Sequence, residues 1–515
     1  MIEFIIILSF ALFVRLFPVR NTITDSDTYG HVYFAHEVKK QKTSPWGFIS
    51  MKCWKTDTFR HPFLWHWFVG RVSLRLLLPN LKWINAIFDG IFAFLIYLIL
   101  KYIFQESEAA LIGMLLYLFT PMWFSGISIG TRIASFTPRL LSEIFVNIVL
   151  LLIIFDFGLP YWTQFMIALI GSIVTILSSK FGLQAIIFIL PLTYVVSGSW
   201  LSFNLISILF ISLTLLMLVS SGETMKMMKR QFVHLTEYYR NNKSKDHETV
   251  TGDRNNFSSI LVKSDNNRID YYRTIWNLLA TNSYTSTFFK MPIYTLVIVM
   301  SIFAISSGKF ELSINIFSPL IAASFLFFFI NRPTLLFLGE AERYLNHIAI
   351  FIIMASINLA QSTGLIWLIW CVIFYGICYW LCESFLLNKI VRTERQDADT
   401  IVENYLKSNK KKRLISSFPY HNFNIYRIML LTQHNVIFPI YMDKSIREDF
   451  VKNFEPHYGY LDLSKLNDIN KLTGLDTLIL DKKTLIAEGF SGWAPPDSWM
   501  KVELSQSIYD IYELS

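Results

Sequence analysis

Apolar runs long enough to cross a lipid bilayer recur along most of this chain, and they remove nearly every soluble fold from consideration. A helix needs about 20 apolar residues to span roughly 30 Å of hydrocarbon. Such runs lie near residues 2–19, 82–103, 109–128, 140–157, 161–178, 184–197, 200–220, 291–307, 313–331, 345–361 and 365–387. The pattern predicts an all-α polytopic membrane domain over 1–387 with about eleven spans. Composition agrees: 53% of the 515 residues are hydrophobic and 16% charged, against roughly 25% charged in an ordinary globular protein. The first run has no small-residue cleavage site and keeps Arg15, so it reads as an uncleaved anchor.

An odd number of spans puts the two termini on opposite faces. With Met1 in the cytoplasm, the long polar segments 20–81, 129–139, 221–290, 332–344 and the tail after 387 all fall on the outer face. The opposite loops are a few residues long. Residues 388–515 change character, with runs of strand length at Arg413–Phe418, Val436–Ile440, Leu475–Leu480 and Ile508–Tyr512. Helical stretches at Asp399–Leu406, Asn424–Thr432 and Leu463–Leu472 alternate with them. This predicts a small C-terminal α/β extramembrane domain. It carries no GxGxxG or P-loop, which argues against a nucleotide site. The polar stretch 221–290 reads as a lid over the outer face rather than a disordered insertion.

The formal charge of +8 comes from Lys and Arg in loops next to apolar runs. There an anionic lipid or a lipid-linked phosphate is the expected partner, and without a groove-binding motif nucleic acid is not. Cys53, Cys371, Cys378 and Cys382 form no CxxC pair or metal spacing.

The concentrated polar chemistry is in the loops. Thr24-Asp25-Ser26-Asp27-Thr28-Tyr29-Gly30-His31 follows the first span. Carboxylates two apart can share one cation, or one can act as general base while the other orients it. The plain alternative is an Asp capping the helix that follows. Phe59-Arg60-His61-Pro62-Phe63-Leu64-Trp65-His66-Trp67 is an aromatic, amphipathic stretch suited to the membrane interface. It would hold Arg60, His61 and His66 at headgroup height, within reach of a phosphate. Farther on, Arg139 and Glu143 are four residues apart at the start of a span and should pair. Lys180 sits in a short turn, Ser178-Ser179-Lys180-Phe181-Gly182. Arg343 follows in Gly339-Glu340-Ala341-Glu342-Arg343-Tyr344, where its fork suits a phosphate and Glu340 or Glu342 would orient it.

DSDTYGH after the first span, FRHPFLWHW later in that loop, TPRLLSE entering the fourth span and GEAERYL near the end together resemble the lipid-phosphosugar-dependent GT-C glycosyltransferases. That group includes oligosaccharyltransferase catalytic subunits, protein O-mannosyltransferases and aminoarabinose transferases. The resemblance implies an active site facing away from the cytoplasm and a polyprenyl-phosphate-linked sugar donor. It implies a saccharide, lipid or protein acceptor, with Asp27 first and Asp25 second as catalytic base and His31 orienting one of them. Arg60, His61, Arg139, Glu143, Lys180, Glu340, Glu342 and Arg343 are the implied substrate contacts. Where a divalent cation such as Mg²⁺ or Mn²⁺ takes part, Asp25, Asp27 and Glu143 are its candidate ligands. The chain departs from the group in lacking a WWD signature and a second outer-loop DxD, with Glu143 the nearest substitute.

The sequence therefore predicts a membrane glycosyltransferase. A lipid-linked saccharide flippase would need ionisable residues along its spans, and the apolar runs hold little beyond Arg15, Asp89 and Asp156. A polysaccharide polymerase would use much the same chemistry.

Overall fold

The computed structural model describes residues 2–20, 26–41, 46–56, 58–125, 133, 135–198, 203–243, 283–308, 313–332, 335, 338–387, 393–418, 425–438, 442–455, 460–487, 493–504 and 508–514. The chain divides into two compact units. One joins Met1–Arg20 to Lys82–Leu386, and the other joins Asn21–Leu81 to Leu387–Ser515. The segment after the first apolar helix thus groups with the C-terminal tail, not with the helices on either side of it in sequence.

The first unit is helical and is an integral membrane domain by the length and apolarity of its helices. Among the described residues five segments qualify as membrane spans: Ile2–Val19, Leu74–Phe104, Tyr161–Ser178, Lys180–Ser197 and Ile366–Phe385. Two bent pairs, Phe203–Val219 with Glu223–Val233 and Ser283–Lys290 with Pro292–Ser306, raise the number to seven if each counts as one span. The expected eleven are not reproduced. Apolar runs read as full spans fold into shorter helices: Ser107–Phe119 has 13 residues, Ala349–Thr363 has 15 and Ile314–Ile330 has 17. The first two fall short of the roughly 17–25 residues of a spanning helix, and the third is at its lower end. Hydropathy measures how long an apolar run is, not where its helix breaks. Most of the stretch read as a lid, 244–282, lies outside the described residues, and its entry is the helix Glu223–Lys243.

Close helix approach in this unit depends on small residues. A Cβ at Gly376 would lie 1.8 Å from the Phe119 carbonyl oxygen, so only glycine lets Ile366–Cys382 meet Ser107–Phe119 here. Arg15 and Asp89, fully buried, form an ion pair. Tyr117 donates to Asp89 at 2.5 Å, and Arg15 donates to the Leu118 and Tyr117 carbonyls at 2.6 and 3.1 Å. A buried charge persists when it is both paired and hydrogen-bonded, and both conditions are met.

The second unit contains a short antiparallel ribbon, β1 (Phe48–Ile49) and β2 (Thr58–Phe59), and a mixed five-stranded sheet. The sheet strands are β3 (Leu414–Phe418), β4 (Asn435–Val436), β5 (Thr477–Asp481), β6 (Trp499–Val502) and β7 (Tyr509–Leu514), in the order β4-β3-β5-β7-β6. β3 runs parallel to β4 and β5, whereas β7 is antiparallel to β5 and β6. All five residues of β5 are buried, as expected of a strand covered on both faces. The last strand in sequence is therefore interior, and β6 takes the edge.

Residues of the early segment complete this unit. Tyr33, Phe34, Val38 and Cys53 belong to the same buried cluster as Val402, Leu406, Ile415, Ile428 and Ile479. Beside β4, Val436 N donates to Lys52 O at 2.8 Å and Trp54 N to Val436 O at 2.9 Å, extending the sheet edge by a further bridge.

Candidate active site

The predicted site residues fall into one group in each unit. In the second unit they begin on the helix Ser26–Gln41. Asp25 lies outside the described residues. Asp27 is described as backbone in the first turn of that helix, one turn before His31. Two glycines set the packing around it. A Cβ at Gly30 would come within 3.1 Å of the Tyr426 ring, and one at Gly70 within 2.4 Å of the Ala35 carbonyl oxygen. The close approach at Gly70 seats the short helix Leu64–Val69, and with it His66, against the helix that carries His31.

His31 Nδ1 lies 2.8 Å from His66 Nε2, and His66 Nδ1 lies 3.0 Å from the Pro62 carbonyl oxygen. The carbonyl only accepts, so His66 Nδ1 carries its proton and Nε2 accepts from His31 Nδ1–H. A directed chain runs from His31 through His66 to the backbone. His66 is 2% exposed. Burial pushes its pKa down to about 4, against the opposing effect of the Pro62 carbonyl. This corrects the expectation of a headgroup-level phosphate contact, because a buried neutral imidazole serves as acceptor and orienter. His61 completes the trio, with its ring centroid 6.1 Å from His31 and 5.2 Å from His66. Its Nδ1 also donates to Pro62 O, at 3.0 Å. Arg60, just after β2, is partly buried.

The second group is in the helical unit. Arg139 opens the helix Arg139–Ile154, and its Nε donates to Glu143 Oε1 at 3.0 Å. The pairing is the one expected from their spacing, and the Glu143 side chain is fully buried. Lys180 opens the helix Lys180–Ser197, whose N-cap Ser179 accepts from Gly182 N. A Cβ at Gly182 would sit 2.6 Å from Ser142 Cβ, so the two cation-bearing helix starts pack side by side. Phe181 gathers the other charges. The Arg343 guanidinium lies 3.7 Å from its ring centroid and Lys180 Nζ 5.1 Å. Glu340 pairs with Arg343, the partnership expected of Glu340 or Glu342. Glu342 is instead buried in the helix Glu342–Asn346. Gly339 takes φ +98°, and a Cβ there would lie 3.3 Å from the Phe181 ring. Thr131 and Arg132 lie outside the described residues.

The cations are thus prepositioned at helix starts, with Arg343 stacked and ion-paired so that little side-chain freedom remains to be lost on binding an anion. Of the candidate metal ligands, Glu143 is engaged by Arg139. Among the described residues, no three His, Cys, Asp or Glu side chains are gathered to hold a metal ion.

No protein-family model matches the sequence, and no curated protein matches it. Solved structures do. The apo oligosaccharyltransferase of Archaeoglobus fulgidus matches over 96% of this chain and 71% of its own, at a TM-score of 0.52 and 11% sequence identity. The two chains share the GT-C fold. A second A. fulgidus structure, AglB with an inhibitory peptide and a dolichol-phosphate, matches over 94% and 70% at 0.48 and 10% identity. ArnT from Cupriavidus metallidurans bound to undecaprenyl phosphate matches over 99% and 97% at 0.41 and 11% identity.

The contacts of two residues in this chain's candidate site were not read from the sequence. Phe181 was passed over as a neighbour of Lys180, because the Arg343 guanidinium that stacks on it comes from far along the chain. His66 was read by its place in an amphipathic run, and nothing in the sequence shows that Gly70 allows it to be buried.

Proposed function

We propose that this protein transfers a sugar from a polyprenyl-phosphate- or pyrophosphate-linked donor to an extracytoplasmic acceptor. The observation that carries the reading is the Lys180–Phe181–Arg343 arrangement, two cations over one aromatic ring in a predominantly apolar helical unit. An anion attached to a long apolar tail matches both properties. The shared fold with an oligosaccharyltransferase supports the same class of chemistry.

In the proposed reaction the acceptor nucleophile attacks the anomeric carbon and the carbon–oxygen bond to the phosphate breaks. The electron pair leaves with the phosphate oxygen, whose charge Lys180 and Arg343 stabilise, with Arg139 as a further cation. For Asp27 we keep the role that the sequence resemblance implies, taking the acceptor proton, with His31 as its orienting residue. The active site and the sheet-bearing unit face the extracytoplasmic side.

The test is mass spectrometry of the purified protein with a mixture of polyprenyl-phosphate sugars and candidate acceptors. Loss of sugar from one lipid, absent in Asp27→Asn, is the expected result. Turnover at the wild-type rate by Asp27→Asn and by Asp25→Asn removes the base assignment. Translocation of intact lipids across vesicles, with no transfer, replaces the enzyme by a flippase.

A further inference from the structure

An open cavity of about 490 Å³ lies within the second unit, apart from the histidine chain. Its size falls in the range of roughly 300–1,000 Å³ typical of small-ligand sites. The second half of the helix Ser26–Gln41 supplies one wall, with His36, Glu37, Lys39 and Lys40. Lys52 faces in from beyond β1. Leu74, Met429 and Leu430 form an apolar floor.

Three ammonium groups thus line one cavity against a single carboxylate, and Glu37 already accepts from Gln41 Nε2 at 3.0 Å. Lys39 and Lys40 stand in the last helical turn, where cations complement the helix dipole. That accounts for their presence on the helix, but not for the other two groups. Lys52 Nζ donates to the carbonyls of Met429, at 2.5 Å, and Thr432. These bonds use two of its three donors and fix the ammonium in place, leaving one N–H for a ligand. His36 contributes to the wall with its Nε2 turned away from the opening, buried out of reach of solvent. Burial and the nearby Lys39 charge lower the His36 pKa, and burial lowers that of Lys52. An anion would offset both. The floor is apolar and the volume exceeds that of a bare oxyanion, so the fitting ligand has a ring face as well as a charge.

We infer that this cavity binds an acidic sugar unit, carboxylate- or phosphate-substituted, with Lys52 on its oxyanion, Lys39 and Lys40 at the rim, and Leu74, Met429 and Leu430 under the ring. The ligand's identification as part of the acceptor rests on the transfer reading above, whereas its binding does not.

The experiment is calorimetric titration of the full-length protein in detergent, without donor lipid, against a glucuronate-terminated disaccharide, its glucose-terminated counterpart and inorganic phosphate. The glucuronate sugar is expected to bind at least about tenfold more tightly than either of the others, the effect of one charge-assisted hydrogen bond set. Lys39→Gln/Lys40→Gln, both exposed, should weaken it by about tenfold, and Lys52→Gln by at least as much. Equal affinity for the neutral sugar removes the anion assignment. Equal affinity for phosphate removes the ring. Unchanged binding in the exposed double variant, or no binding of the glucuronate sugar, overturns the proposal while leaving the transfer reading untouched.

Discussion

His66 makes the sheet-bearing unit sensitive to acid in a way that one substitution should isolate. Its ordinary pKa of 6.5 is pushed down by burial to about 4 in the folded chain. The unfolded chain therefore binds the proton first. Stability from this group is fully present above about pH 6.5 and is lost as pH falls toward about 4. Between about pH 7 and about pH 5 the linkage integral is about 2 kcal/mol, or about a twentyfold rise in the opening equilibrium. His66→Gln removes the titration and keeps an acceptor near the Nε2 position for His31. The assay is hydrogen exchange of peptides covering Leu64–Val69, corrected for intrinsic rates. Wild-type protection should fall across this interval, and the variant should start lower and fall less, so that the two converge. Parallel pH dependence in both would refute the claim that His66 is held neutral by burial, and with it the direction assigned to the histidine chain.

Three further outcomes follow from the helical unit. Gly376→Ala places a methyl 1.8 Å from the Phe119 carbonyl oxygen and should cost about 1–3 kcal/mol or more; an unchanged thermal midpoint in detergent contradicts the close approach. Asp89→Asn leaves the Arg15 charge buried without its counter-ion and should destabilise by about 3–5 kcal/mol, with Arg15→Met/Asp89→Leu recovering most of the loss in the same assay. Under the transfer reading, Arg343→Lys keeps the charge but loses the planar fork stacked on Phe181, and should weaken donor binding about tenfold; a donor titration with wild-type affinity contradicts the phosphate role.

How much of this was legible in the sequence depends on the range of the interaction that decides each feature. The tail's alternation of strand and helix is local, and β3, β5, β7 and the helix Ile425–Leu431 lie where the sequence reading puts them. The order of the strands is not local: nothing in Tyr509–Leu514 shows that it pairs with β5 on one side and β6 on the other. Arg139–Glu143 was legible from spacing alone. Arg15 and Asp89 were visible as lone charges in two apolar runs, but their partnership needs two helices to pack. The same holds for Lys180 and Arg343, which are far apart in sequence and meet through Phe181. Hydropathy does not register where a helix breaks, and among the described residues five to seven segments qualify as spans where the sequence reading expects eleven.

The bond between Val436 and the Lys52–Trp54 segment joins parts of the chain made far apart in time. Synthesis runs from the N-terminus, so Tyr33, Phe34, Val38 and Cys53 emerge long before the residues that bury them. While the helices from Lys82 to Leu386 are being made, the early segment has no completed sheet to dock on and must be kept from pairing elsewhere. The helix bearing Asp27 and His31 gains its full packing once the tail is synthesised, so a chain stopped short would insert its helices yet lack the platform on which that helix is held.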